Sequence, residues 1–230
     1  MTRLASIAVA LWMAATSAAL AQQPVVVELY TSQGCSSCPP ADRILGELSE
    51  RDDVIALGLH VDYWDYLGWK DKFANPEFTN RQRAYARAAG ERTIYTPQMV
   101  IGGKDHVIGS KPMKISNLIR KHSQKSAPVS LRIKRSGGEI VIEATPKSGI
   151  GGVVVDIVTY APKSTVDIRR GENAGRKITY HNIVQSWSRL GTWNGKGTYR
   201  ASAKVASDTP VVVLVQSQGN GPILAAARLK

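Results

Sequence analysis

The chain has 230 residues, with 30 Lys+Arg against 18 Asp+Glu and a formal charge of +12. Hydrophobic residues make up 43%, enough for a packed core, so general disorder is excluded. Two cysteines cannot staple a chain of this length, which excludes a disulfide-rich scaffold, and a single span-length apolar run excludes a polytopic membrane protein.

That run is N-terminal. Arg3 supplies a positive charge, Leu4 to Ala19 is almost wholly apolar or small, and Ala19-Leu20-Ala21 fits the small-x-small pattern before a cleavage site. Residues 1–21 are therefore expected to be a secretory signal peptide, with an uncleaved anchor as the alternative. Cleavage would leave a periplasmic or secreted chain with no membrane span. Export decides how the charge reads. An exported basic protein meets acidic envelope surfaces or partners. The basic residues are scattered and not interleaved with aromatics, so no nucleic-acid partner is expected.

Val25 to Tyr30 is a short β-rich run, apolar on both faces except at Glu28, as suits a strand buried on both sides. After Cys38, Pro39-Pro40 precedes Ala41, Ile44, Leu45 and Leu48, an amphipathic helix with proline in its first turn. Val54 to Val61 predicts a second buried strand. An aromatic stretch follows from Tyr63 to Trp69, then a helix from Pro76 to Ala89. Met99–Ile101 and His106–Ile108 predict a hairpin turning on Gly102-Gly103, and Met113 to Ser123 a closing helix. From about Ala127 the texture changes to β runs at 129–133, 140–142, 153–160, 166–170, 177–180, 198–204, 211–216 and 223–229. The expected organisation is an α/β domain over residues 22–125, with an inserted helical stretch about 65–92, and an antiparallel β-rich, sandwich-like domain over 127–230.

The sharpest chemical signal is Gly34-Cys35-Ser36-Ser37-Cys38-Pro39-Pro40, between a strand and the start of a helix. A bridge closing so short a loop restrains the unfolded chain little, so chemistry explains the pair better than stability. A helix N-terminus carries unsatisfied N–H groups and partial positive charge, which stabilises a thiolate. Cys35 is expected to be the exposed nucleophile and Cys38 the more buried resolving thiol, with the hydroxyls of Ser36 and Ser37 stabilising the thiolate. Half a zinc site is the rival reading. It needs two further ligands, and His60, His106, His122 and His181 form no closely spaced pair, so no metal and no cofactor are expected. Cu(I) handling by the two thiolates remains an alternative.

Strand, Cys-x-x-Cys, helix, strand, then Thr96-Pro97 leading into another strand resembles the thioredoxin superfamily: a central mixed sheet flanked by helices. The resemblance implies a cis peptide before Pro97, lying against the cysteines, and substrate backbone binding at Thr96 and Pro97. It also implies that Glu28, on the strand before the cysteines, moves protons for the resolving thiol, although its spacing from Cys35 is one residue longer than the family's. Ser36-Ser37 matches neither the Gly-Pro of reductants nor the Pro-His of oxidants and fixes no direction. More narrowly, Val27 to Asp42, His60 to Asp65, Thr96-Pro97-Gln98 and Arg169 to Arg176 resemble the exported bacterial family called domain of unknown function 1223, over nearly all the chain after residue 21.

The expected function is disulfide exchange with protein thiols and disulfides of the envelope. The alternative is a non-catalytic envelope binding module with a local Cys35–Cys38 bridge. Trp64, Tyr66 and Trp69 are expected either to roof the cysteines or to pack around an inserted helix. Arg169, Arg170 and Arg176 flank a glycine-containing loop with Glu172 and Asn173, read as a solvated hairpin, with an anion or carboxylate site as the alternative.

Overall fold

The computed structural model describes residues 23–230, which form an α/β fold of three helices and eleven strands. The expected signal segment, residues 1–21, lies outside the described residues. Four strands and the three helices come first: β1 (Val25–Thr31), α1 (Pro39–Ser49), β2 (Val54–His60), α2 (Pro76–Ala88), β3 (Gln98–Ile101), β4 (Asp105–Ile108) and α3 (Pro112–Ser123). Seven strands follow: β5 (Val129–Ser136), β6 (Glu139–Pro146), β7 (Val153–Asp167), β8 (Lys177–Trp193), β9 (Tyr199–Lys204), β10 (Val211–Ser217) and β11 (Ile223–Leu229). Each helix opens with proline in its first turn, where a missing N–H costs nothing. No helix among the described residues is long and apolar enough to cross a membrane.

Eight strands make one mixed sheet in the order β11-β10-β7-β8-β2-β1-β3-β4. Strands from both sides of the texture change at Ser123–Pro128 therefore share a single sheet. β1 and β2 run parallel with Val25 opposite Val54, and β3 lies antiparallel on the other side of β1. β8 joins β2 in parallel through one pairing, Gly58 with Ile183. A Cβ at position 58 would stand 3.2 Å from the His181 carbonyl oxygen, so a bare glycine permits this approach. The remaining strands, β5-β6-β9, form a separate antiparallel sheet.

Every residue of β1 and β2 is buried, and the two faces feed different cores. Val25, Val27, Leu29, Val54 and Ala56 pack on Ala41, Leu45 and Leu48 of α1 and on Ile115 and Ile119 of α3. Val26, Tyr30, Ile55, Leu57 and Leu59 pack on Phe78 and Tyr85 of α2, and this core continues to Val158, Val184, Val212 and Leu214. A third core lies between the small sheet and Val153, Val155, Val211, Val213 and Val215.

β7 and β8 depart from the expected short runs. They form one long hairpin, paired from Val153 with Trp193 to Asp167 with Lys177. Facing hydroxyls, Thr159 with Ser186 and Thr165 with Thr179, carry the ladder through polar stretches that hydrophobic patterning reads as breaks. Bulges at Val155/Asp156 and Thr159/Tyr160 shift the register between them.

The one charged residue of β1 is tied across the sheet. Glu28 is fully buried and takes both Arg81 Nε (2.7 Å) and Arg81 Nη2 (2.9 Å) from α2. Tyr85 and Tyr30 donate their hydroxyls to the same carboxylate. Arg81 Nη2 also donates to Gln216 of β10, and the guanidinium lies 3.7 Å from the Trp187 ring centre on β8. An Arg81→Ala change would leave Glu28 buried without its counter-charge and is expected to cost about 3–5 kcal/mol in urea unfolding. A loss below about 1 kcal/mol, the level of an exposed pair, would show that this network does not hold the halves together.

Candidate disulfide site

β1 ends at Thr31, and residues 32–38 turn the chain into α1. The Cys35 amide donates to the Ser32 carbonyl, and the Gly34 amide to the Ser32 hydroxyl. Cys38 is the residue before the first helical position, and its carbonyl accepts the Ala41 and Asp42 amides at 2.8 and 3.1 Å. Cys35 and Cys38 are bonded to each other, with Cα atoms 5.4 Å apart, at the positive end of the helix.

Cys38 is fully buried, as expected of the inner sulfur. Cys35 is not the exposed residue expected at the helix mouth: it is only 3% exposed. Two segments far away in sequence cover this turn. The first is the aromatic stretch after β2. A Cβ on Gly34 would stand 3.2 Å from Trp64 Cβ, Trp64 Nε1 donates to Thr96 Oγ1 at 2.7 Å, and Trp69 Nε1 donates to Gln33 Oε1 at 2.8 Å. The second is the loop between β7 and β8. Asn173, 1% exposed, donates its amide to the carbonyls of Gln33 and Cys35, both at 2.9 Å. Glu172 Oε2 accepts the Ser36 amide at 3.2 Å. The loop expected to be a solvated hairpin thus lands on the cysteine turn; its residue types mark it in the sequence, but nothing local to it shows where it lands.

The Thr96–Pro97 peptide is cis, the isomer the resemblance implied. Pro97 is buried, its carbonyl accepts the Gly109 amide, and a Cβ on Gly109 would lie within 3.2 Å of Ala41, Pro97 and Leu29 alike. Pro97 thus sits beside the first turn of α1, and Trp64 links Thr96 to the cysteine turn. Ser36 and Ser37 are exposed, and Ser37 Oγ lies 3.4 Å from Cys35 Sγ.

Glu28 does not face the cysteines' helix. It lies on the α2 face of β1, with Val26 and Tyr30, whereas α1 packs on the opposite face. A seven-residue strand buried on both sides gives no alternation from which to read that orientation. The buried acid on the cysteines' side is Asp42, in the first turn of α1 and four residues after Cys38, a spacing that places both on one helical side. Its Oδ1 accepts the Thr31 hydroxyl at 2.8 Å, and its Oδ2 has no partner. Burial raises its pKa to about 7; the nearby His60 charge and the Thr31 bond oppose that rise. Asp42 also lines a groove of about 760 Å³ between α1 and β8, with Arg43, Arg176 and His181.

Behind the turn, His60 Nδ1 and Asp71 Oδ2 are 2.6 Å apart, and Asp71 also accepts the Gln33 amide. Phe73 and Tyr180 rings flank His60 edge-on. The buried side-chain atoms without partners among the described residues are Gln33 Nε2, Asp42 Oδ2, Asn173 Oδ1 and Tyr180 Oη. Gln33 and Asn173 border the cysteine turn directly, and the Asp42 charge acts on Tyr180. Among the described residues no cluster of three or more His, Cys, Asp or Glu could hold a metal ion.

The model of the family described as "Protein of unknown function (DUF1223)" matches residues 26–216, and the chain belongs to that family. No curated protein matches. The crystal structure of protein AGR_C_4864 from Agrobacterium tumefaciens is 33% identical, covering 89% of this chain and 93% of that one, with a TM-score of 0.76. HBP35 of Porphyromonas gingivalis matches in fold at a TM-score of 0.65 and 16% identity, over 90% of this chain and 75% of its own.

Asp42 gives the site a stability signature. Folding raises its pKa, so between the ordinary carboxyl range, about 4, and about 7 the folded state holds a proton that the unfolded chain has released. Stability from this group is full at the acid end and lost as pH rises through about 7. Asp42→Asn is expected to flatten the fall in Tm across that window relative to wild type. Parallel Tm–pH curves for the two proteins would contradict the assignment.

Proposed function

We propose that this family member is an exported thiol–disulfide oxidoreductase of thioredoxin-like build, acting on protein thiols and disulfides of the cell envelope without a cofactor. The observation that carries this reading is the Cys35–Cys38 disulfide at the start of α1, directly after a buried parallel strand, with a cis Thr96–Pro97 peptide beside the same helical turn. In this reading residues 1–21 direct export and are removed. Residues 22–125 carry the exchange chemistry, with Trp64 and, from the inserted stretch 65–92, Trp69 covering the cysteine turn while Tyr66 is exposed, and residues 127–230 supply the covering loop.

A substrate thiolate attacks Cys35 Sγ, the Cys35–Cys38 bond breaks, and Cys38 leaves with the electron pair. The substrate's second thiol, deprotonated, then displaces Cys35, so the substrate is oxidised and the pair reduced. Run backward, the same steps reduce a substrate disulfide. Cys35 is the attacked sulfur because Cys38 is deeper. The positive end of α1 and the Ser37 hydroxyl stabilise negative charge on Cys35, and the Ser36 amide anchors the covering loop. Thr96 and Pro97 hold substrate backbone. In place of Glu28, Asp42 exchanges the Cys38 proton, since its carboxyl is buried, lies on the right side, and titrates near neutrality.

The burial of Cys35 favours a second reading, a non-catalytic envelope module with a locked bridge. Insulin reduction and reactivation of a scrambled disulfide substrate separate the two. The wild type is expected to accelerate one or both, with Cys35→Ser at the uncatalysed background. Indistinguishable rates for the two proteins would leave the non-catalytic reading.

A further inference from the structure

The loop between β7 and β8 is held by its own hydrogen bonds and attached to the cysteine turn at three points. Within it, Gly175 N donates to Ile168 O, Ala174 N to Gly171 O, and Arg176 N to Asn173 O. Gly171 and Gly175 take positive φ angles of 73° and 79°, which keeps the turn tight. A Cβ on Gly171 would meet Trp69 Cβ at 3.1 Å, so the loop also packs against the aromatic roof. Its attachments are the two Asn173 amide bonds and the Glu172 carboxylate on the Ser36 amide. The charge of the loop is lopsided. Arg169, Arg170 and Arg176 are exposed and make no ion pair among the described residues, while the one acid, Glu172, spends its carboxylate on the cysteine turn.

We propose that this loop is a strap that must lift before Cys35 reacts, and that anionic substrate segments lift it by replacing the Glu172 carboxylate on the Ser36 amide. The arginines of the loop draw acidic sequences flanking the substrate sulfur. Glu172 is thus an internal stand-in for the substrate carboxylate, and the site selects acidic partners. The proposal rests on reading Cys35 as the attacked sulfur. In the gated step an incoming thiolate bonds to Cys35 Sγ as the Cys35–Cys38 bond breaks, and Cys38 departs as thiolate. The incoming sulfur is oxidised and the protein disulfide reduced.

The test opens the oxidised protein with three small thiols at matched thiolate concentration: mercaptopropionate (anionic), mercaptoethanol (neutral) and cysteamine (cationic). Opening is followed by acid quench and alkylation of Cys38. The wild type is expected to open several-fold faster with the anionic thiol than with the neutral one, and slowest with the cation, with the spread compressed by salt. Glu172→Ala, at an exposed position, is expected to raise the mercaptoethanol rate several-fold. An Arg169→Ala/Arg170→Ala protein is expected to lose the anionic advantage. A wild type indifferent to thiol charge, or a Glu172→Ala protein opened by mercaptoethanol at the wild-type rate, overturns the proposal. Small thiols report the strap independently of protein substrates. A protein that shows all three expected results and still accelerates neither insulin reduction nor reactivation of the scrambled substrate keeps the strap and loses the oxidoreductase reading.

Discussion

The disulfide's surroundings depend on one contact between the early and late strands, the parallel approach of β8 to β2 at Gly58 and Ile183. Asn182 secures it from the left-handed region, at φ 44°, by donating its side-chain amide to the Ala56 carbonyl at 2.9 Å. Toward Lys177, β8 has no further ladder partner on β2, so that end of the β7–β8 hairpin packs through side chains instead. Val166, Ile168, Ile178 and Tyr180 form a small core with Trp69 and Phe73. That core places the hairpin's loop on residues 33–36. The strands after residue 127 therefore do more than enlarge the sheet: they carry the cover of the cysteine turn.

The same sheet separates two buried acids with opposite fates. Glu28 is saturated by a guanidinium, two tyrosine hydroxyls and the packing around them, an arrangement suited to holding α2, β1 and β10 together. Asp42 accepts one hydroxyl and keeps an oxygen without a partner, next to a groove and one helical turn from Cys38. The donors around Glu28 come from α2 and β1, whereas Asp42 has one hydroxyl donor and an oxygen left over. The division of labour follows from which face of β1 or α1 each acid occupies.

Much of the α/β half was legible because its signals are local. Pro39-Pro40 with the spacing of Ala41, Ile44, Leu45 and Leu48 sufficed for α1, and Gly102-Gly103 for the β3–β4 turn. The disulfide pair and the cis Thr96–Pro97 peptide followed from motif and resemblance. The orientation of Glu28 was not legible, since β1 is apolar on both faces and strand alternation carries no sign there. Nor was the burial of Cys35, which is imposed by Asn173 from 138 residues away. The continuity of β7 was hidden because threonine and serine pairs across a ladder look like loop composition in one strand alone.

The cover on Cys35 sets what a partner must supply. Three hydrogen bonds attach the loop to the cysteine turn, each worth about 0.5–1.5 kcal/mol net. Those three bonds alone therefore put the cost of lifting on the order of 3 kcal/mol, which holds the open population to roughly one in a hundred or less. A ligand shifts such an equilibrium only by its differential affinity for the open form. A neutral thiol contributes little of that, whereas a carboxylate that takes over the Ser36 amide replaces one lost bond in kind and adds attraction to three exposed arginines. In the proposed mechanism, closure over Cys35 and selectivity for acidic partners are one property: the bonds that hide Cys35 are the ones an acidic partner replaces.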